Sequence, residues 1–474
     1  MPALRVLHVA PYFENAWAYG GIPRVVSAQA HALTAAGHHV TVATTDVCDA
    51  SSRLEPAGGD RRSRFASRVE DTADGIDVRV FPNVSNTVAY QWQFYVPVGF
   101  ARYIRANARH FDVAHLHACH NLLTAMAARH LRRAGVPYVV QPNGTAQRIE
   151  GRRAAKLVFD ILLARHVLPG AAFVLAVTDW ERRQLQERGY PGSAFDFAPL
   201  DYARGRQGRE DPGLHEEDAF ARGDVTQSED RDRHEEDGAN RGGHPGPKGP
   251  GLHGEGTSAR GPRIRVVPNP LAPMPAWPLP SGTSFRERYE LKDGPLVVFL
   301  GMLSPRKQPD VLARAIAELR RFDVQLVFAG NDMGAERRTR AVVHQRGLEP
   351  RTRFTGLVTG SSRFVALAAA DIVVYPSRDE VFGLVPLEAL QAGTPVIVCD
   401  DAGCGEVIRE VGGGLLVPPG DVRALAAAIG AILGDLPAWR EKAVGAGAEA
   451  ARRFHPDLVA AQLEGVYRDA IARS

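Results

Sequence analysis

Residues 371–400 read DIVVYPSRDEVFGLVPLEALQAGTPVIVCD, and this stretch decides the fold. Ile372, Val373, Val374 and Tyr375 form a continuous apolar run of strand length, closed by Pro376 and Ser377. Pro386 fits the first turn of a helix, where its missing N–H costs nothing. Gly393 is placed to end that helix, and Thr394-Pro395 keeps it from continuing. Val396 to Val398 then forms the next buried strand. Strand, loop, short helix and strand make a compact β-α-β unit of an α/β protein.

Two carboxylates mark the unit: Glu380 in the loop and Glu388, expected in the first helical turn. Between them lies Val381-Phe382-Gly383-Leu384, where Gly383 lets the main chain approach a ligand closely. Free N–H groups at a helix start favour an anion, and a neighbouring carboxylate accepts hydrogen bonds from sugar hydroxyls. The plainer reading is an acid complementing a helix dipole, a contribution of ~0.3–1 kcal/mol.

The combined pattern is more specific than two glutamates at a fixed spacing. Glu380 and Glu388 stand as E-x7-E, with Phe382-Gly383 after the first and EAL-x-x-G-x-PV around the second. This resembles the signature of family-4 retaining glycosyltransferases of the group-1 type. The resemblance covers nearly the whole chain outside one insertion. It implies the GT-B fold, two Rossmann-like domains facing each other across a cleft.

Composition sets the outer limits. The chain has 474 residues, 45% hydrophobic and 23% charged, as in a soluble globular protein of two or three domains. A net charge of +3 does not point to nucleic acid. Cys48, Cys119, Cys399 and Cys404 form no CxxC pair and no disulfide framework, which suits a reducing cytoplasm. There is no secretion signal and no apolar run of ~18 residues, so a cytoplasmic chain that spans no membrane is expected.

Along the chain, residues 5–10 (RVLHVA) read as a strand. A loop with Gly20 and Gly21 follows, then a helix opening at Pro23 with Ile22, Val25, Val26, Ala30 and Leu33 on one face. Two adjacent glycines alone make a turn; the resemblance implies that this pair lies against donor phosphate and acceptor. Residues 111–120 (FDVAHLHACH) read as a strand entering a loop. His115, His117, Cys119 and His120 fit no zinc spacing, and no metal site is expected. The resemblance implies instead that the H-x-H lines the cleft and that His117 contacts donor or acceptor. Residues 136–141 are a strand ending in Pro142-Asn143-Gly144-Thr145. Asn143 stands where the family often carries a histidine touching the transferred sugar. Asparagine keeps the hydrogen bonds but has no titratable proton.

Residues 148–167 are basic and amphipathic, with Arg152, Arg153, Lys156 and Arg165 beside Leu157, Val158, Ile161 and Leu162. Two readings stand: a solvated face over a core, or an interfacial helix in peripheral contact with anionic membrane. Thr178, Asp179 and Glu181 open a further helix with a plausible cap. Residues 191–261 change character, mixing charge with Gly and Pro and offering few aliphatic side chains. Such a segment does not offset its ordering entropy, so a disordered insertion is expected, with Asp230-Arg231-Asp232 an accidental D-x-D.

Domains are therefore expected at residues 1–190, with the final helix (456–474) packing back on them, and at 262–455. Residues 264–269 (IRVVPN) resemble the family's interdomain segment, and residues 296–300 are the first strand of the second domain. The loop at 301–308 (GMLSPRKQ) stands where the family carries two cations for a diphosphate. Lys307 matches the second, Met302 replaces the first, and Arg306 supplies a charge nearby. Gly356 and Leu357 end another strand, on the nucleobase side by resemblance.

The implied activity is a metal-independent, retaining hexosyltransferase. No cofactor is expected; a nucleotide-diphospho-sugar is the co-substrate, and a glycan, lipid-linked intermediate or small polyol the acceptor. Arg306, Lys307 and the helix start near Gly383 would hold the diphosphate, and Glu388 the ribose. Glu380 with Phe382, Gly383 and Leu384 would orient the sugar. Two other readings are a sugar-nucleotide epimerase of the same fold and a non-catalytic nucleotide-sugar binder in an assembly complex.

Overall fold

The computed structural model describes residues 2–14, 16–47, 68–71, 74–92, 94–145, 167–187, 263–275, 282–319, 321 and 323–474. The insertion at 191–261, the basic segment as far as residue 166, Asp230 to Asp232 and Cys48 lie outside these residues.

Runs of β-branched and apolar residues build two sheets. The first takes β1 (Arg5–Val9), β2 (His39–Thr45), β3 (Arg68–Asp71), β4 (Asp77–Phe81), β5 (Val113–His117), β6 (Tyr138–Gln141), β7 (Phe173–Ala176) and β8 (Arg263–Val266). Their order is β3-β4-β2-β1-β5-β6-β7-β8, with only β3 antiparallel to its neighbour. The second sheet takes β9 (Leu296–Leu300), β10 (Gln325–Ala329), β11 (Thr352–Gly356), β12 (Ile372–Tyr375), β13 (Val396–Cys399) and β14 (Gly414–Val417). It is wholly parallel, in the order β11-β10-β9-β12-β13-β14. Every residue of β9, β10, β12 and β13 is buried, which is why these strands read as unbroken apolar runs.

Each sheet has a point where the chain reverses its direction of growth, between β1 and β5 and between β9 and β12. Loops leaving the carboxyl ends of such strand pairs diverge and open a crevice. In the second sheet these are the loops at 301–308 and 376–383.

Six helices matter to that crevice. They are α1 (Ile22–Ala35), α2 (Asp179–Glu187), α3 (Ser362–Ala369), α4 (Leu384–Gln391), α5 (Gly403–Val411) and α6 (Pro456–Ile471). In α1 the residues Val25, Val26, Ala30 and Leu33 are buried and Ile22 partly so, as the helical period predicts. Helix α6 inserts Val459, Leu463, Val466 and Tyr467 into the apolar layer formed with Val6, Val40, Val113 and Val139 of the first sheet. The two connections between the sheets meet where Leu271 N–H donates to the Phe454 carbonyl at 2.8 Å.

One helix boundary differs from the sequence reading. Helix α4 begins at Leu384, with Gly383 as its N-cap at φ 81°. Glu388 is therefore its fifth residue and lies in the second turn, not the first. A Cβ at Gly383 would come 2.3 Å from Cys404 Sγ, so both the left-handed turn and the close packing demand glycine.

Candidate active site

The reversal point of the second sheet brings the loop cations onto Glu380. Lys307 Nζ lies 3.0 Å from Glu380 Oε2, and Arg306 Nη1 lies 3.7 Å from the same oxygen. Ser377 Oγ donates to it at 2.9 Å and the Tyr375 hydroxyl at 3.2 Å. Lys307 also donates to the Tyr375 hydroxyl and sits 4.3 Å from its ring centroid. Burial pushes the Glu380 carboxyl up, but Lys307 and Arg306 outweigh it and hold the group down at about 2. Burial lowers Lys307 in turn, with Glu380 opposing that shift. The sequence reading gave the cations to a diphosphate and Glu380 to the sugar as separate tasks. The structure joins them in one part-buried cluster.

Glu388 is 3% exposed and held by two arginines that the sequence reading did not single out. Arg24 Nη1 reaches Oε1 at 2.5 Å from α1, and Arg363 Nη2 reaches it at 3.0 Å from α3. Oε2 has no partner among the described residues, nor do Arg363 Nε and Nη1. Arg363 lies 5.0 Å from the Trp17 ring centroid, and burial lowers its pKa to about 10 against the pull of Glu388. A sequence signal existed for both arginines. Each stands in the first turn of a helix, where a cation opposes the dipole and needs a compensating acid.

An open cavity lies between the two sheets' loops. Trp17, Gly20 and Arg24 line it from the first half, and Met302, Asn331, Leu357 and Arg363 from the second. Gly20 has φ 88°, and a Cβ there would lie 3.2 Å from Met302 Cε; one at Gly21 would lie 3.4 Å from Leu384 Cδ1. The glycine pair thus lets the halves approach at the cavity wall. Met302, read as a lost cation, is the side chain packed on it. Leu357 is 38% exposed in the cavity, and Gly356 beside it takes φ 70°. Phe382 is buried edge-on against Phe454 at 5.1 Å, so its main chain, rather than its ring, is what faces the loop cluster.

His117 requires a correction. It does not line the cleft: it is wholly buried, with His8 and His115, between the first sheet and helices α1 and α6. His8 pairs with His115 across β1 and β5, and His117 follows two residues on, so strand alternation puts all three on one face. His8 Nδ1 and His117 Nε2 are 2.9 Å apart, and His115 Nδ1 is 2.7 Å from the Tyr467 hydroxyl. Burial lowers all three, His8 to about 3. One nitrogen from each lies within 4.8 Å of the others, a grouping the sequence reading missed because His8 is over 100 residues away. The His115 and His117 rings stack at 4.1 Å.

Asn143 takes φ 50°, and its Oδ1 accepts from Gln141 Nε2 at 3.3 Å. Its Nδ2 is buried without a partner among the described residues. Gly144 beside it approaches Val381 so closely that a Cβ would lie 3.0 Å from Cγ1. The turn after β6 therefore abuts the loop between the two glutamates.

Two family models match the chain. "Glycosyl transferase 4-like domain" covers residues 20–200 and "Glycosyl transferases group 1" covers residues 294–435. The chain is a group-1 glycosyltransferase. This glycosyltransferase is 35% identical over 223 residues to a D-inositol 3-phosphate glycosyltransferase of Acidothermus cellulolyticus, covering 44% of this chain and 49% of that protein. It is 39% identical over 178 residues to a phosphatidyl-myo-inositol mannosyltransferase of Mycobacterium leprae, covering 37% and 46%. The matches span about half the length of these relatives. Among solved structures, a sucrose-phosphate synthase from Thermosynechococcus elongatus superposes with TM-score 0.67 at 21% identity, over 99% of this chain and 100% of that one. Anabaena HepE, in complex with UDP and glucose, superposes with TM-score 0.64 at 18% identity over 98% of both. The glycosyltransferase has the GT-B fold.

Proposed function

We propose that this glycosyltransferase moves a hexosyl group from a nucleotide-diphospho-sugar to a hydroxyl acceptor, with retention of anomeric configuration and without a metal ion. The observation that carries the reading is a local excess of positive charge. Arg24, Arg306, Lys307 and Arg363 surround two carboxylates, Glu380 and Glu388, beside the uncapped start of α4. Four cations against two acids leave two positive charges, the complement of a sugar-linked diphosphate.

In this reading the donor side is residues 262–455, and the acceptor side is 1–190 with the final helix. The diphosphate sits at Arg306, Lys307 and the first N–H groups of α4. The unpartnered Oε2 of Glu388 takes a ribose hydroxyl, and the base lies along Leu357 in the cavity. Glu380, fixed by Lys307 and Ser377, orients the sugar with the main chain of Phe382 to Leu384. Stabilising the departing diphosphate supplies most of the catalysis, and its oxygen accepts the proton of the acceptor as that hydroxyl attacks from the same face.

The acceptor class is a glycan, a lipid-linked intermediate or a polyol. The names of the matched relatives, which act on inositol derivatives, favour a polyol or its lipid form. Cys399 and Cys404 are free and buried, consistent with work in the reducing cytoplasm, in cell-surface glycan synthesis. No single helix among the described residues is long and apolar enough to cross a membrane.

The test is calorimetry with UDP, GDP, ADP and their hexose derivatives, then NMR of the product formed with inositol and oligosaccharide acceptors. Binding of one nucleotide sugar and a product with the donor's anomeric configuration are expected. An inverted product overturns retention, and tight nucleotide-sugar binding without transfer to any acceptor overturns the enzyme.

A further inference from the structure

We propose that Glu181 is a positioning residue for the Asn143-Gly144 turn, holding it against the sugar-side loop of the second half through two main-chain hydrogen bonds. Thr178 to Glu181 (TDWE) reads as a helix cap of the kind in which the glutamate turns back to its own cap residue. The structure uses the carboxylate otherwise. Glu181 Oε1 accepts from Gly144 N–H at 2.6 Å and Oε2 from Val177 N–H at 2.9 Å. The cap is made by Thr178 Oγ1, which accepts from Glu181 N–H at 3.2 Å.

A capping glutamate on a surface helix is exposed; Glu181 is 1% exposed. It has no cationic partner among the described residues. The charged groups on the surrounding elements pair with one another: Arg182 with Asp179 and Arg183 with Glu406 on α2 and α5, Arg453 with Glu410, and Arg265 on β8 with Asp469. His120, on the loop beside the turn, bonds the Thr145 carbonyl. A buried carboxylate without a cation is retained where its geometry is used.

That geometry reaches both halves. Gly144 lies against Val381, and a Cβ on Gly403 would come 2.1 Å from the Val381 carbonyl and 2.4 Å from Thr178 Oγ1. Glu181 thus ties the turn carrying Asn143 to the helix start that abuts the loop between Glu380 and Glu388. Both oxygens must accept. Burial raises the carboxyl to about 7, with the two N–H groups opposing the shift. Protonation removes the charge that strengthens both bonds and so weakens each of them. The inference rests on the reading that this turn faces the transferred sugar.

Two measurements test it, one independent of activity. Asn143-Gly144 is the sole Asn-Gly pair in the chain, so protein labelled with 13C-carbonyl asparagine and 15N-glycine gives one linked amide resonance. In the parent protein that resonance should titrate upfield as pH falls through about 7. A resonance invariant across this range overturns the proposal, whatever the enzyme transfers.

The second measurement is kinetic. Glu181→Gln keeps one acceptor, and should lower kcat by about 10-fold while the donor KM stays within about two-fold. It should also remove the acid limb from the rate profile, whereas Glu181→Asp should keep a limb. Equal kcat and the same pH profile in parent and Glu181→Gln overturn the positioning role. A parent that transfers no hexose while the Gly144 amide titrates would instead overturn the proposed function.

Discussion

Arg24 and Glu388 meet at 2.5 Å across 364 residues of chain, one from the first turn of α1 and the other from the second turn of α4. The bond joins the two halves beside the cavity. Its carboxylate also carries Arg363, so one acid holds two guanidinium groups in a poorly hydrated place. Removing one partner of such a pair leaves charge behind, and the sign of each effect follows from what remains.

Arg24→Ala should destabilise the protein by about 1–3 kcal/mol, less than a full buried-pair rupture, because Arg363 still serves Glu388. Urea unfolding measures this. An unchanged midpoint would show that the contact between the halves contributes nothing to stability.

Glu388→Ala should weaken nucleotide-sugar binding by about 1.5–3 kcal/mol, the loss of one charged acceptor for a ribose hydroxyl. It should also lower the melting temperature, since Arg24 and Arg363 lose their shared acid. Calorimetry with the preferred nucleotide diphosphate separates the two effects. Full affinity in the variant would remove Glu388 from the donor site.

Glu380→Ala should reduce turnover more than donor affinity, because misorienting the sugar harms the transition state selectively. It should alter acid stability as well. The folded carboxyl sits at about 2, below its ordinary 4.5, so its contribution is present above about 4.5 and is lost as pH falls toward 2. The difference in melting temperature between parent and variant should therefore shrink across that window. A constant difference would show that the Lys307 contact does not set the titration.

Transfer should survive EDTA, since Arg306 and Lys307 are the cations assigned to the departing diphosphate. Initial rates before and after chelation check this. Loss of activity restored by Mn²⁺ or Mg²⁺ would overturn the assignment.

Much of the candidate site was legible because the residues that resemble the family's motifs lie in short stretches of sequence. Glu380, Gly383, Lys307, Gly20 and Asn143 lie in loops that follow predicted strands, within short motifs that carry the family resemblance. Helix α1 was legible from its apolar period, and β12 from an unbroken apolar run. The first-turn assignment of Glu388 failed because Pro386 fits several early helix positions, whereas Gly383 packing on Cys404 fixes one.

The sequence by itself determined the β-α-β units, since periods of 2 and 3.6 residues and turn chemistry act over a few residues, and it marked the carboxylate pair and the loop cations by their resemblance to a family motif. Tertiary structure alone decided that His117 is buried beside His8 rather than open to the cleft, and that Arg24 and Arg363 share Glu388. It also decided that Glu181 reaches past its own cap to Gly144. Those pairings depend on strand order, on which sheet face each helix covers, and on how the two halves meet. Such relations join residues up to hundreds of positions apart, and no local period encodes them.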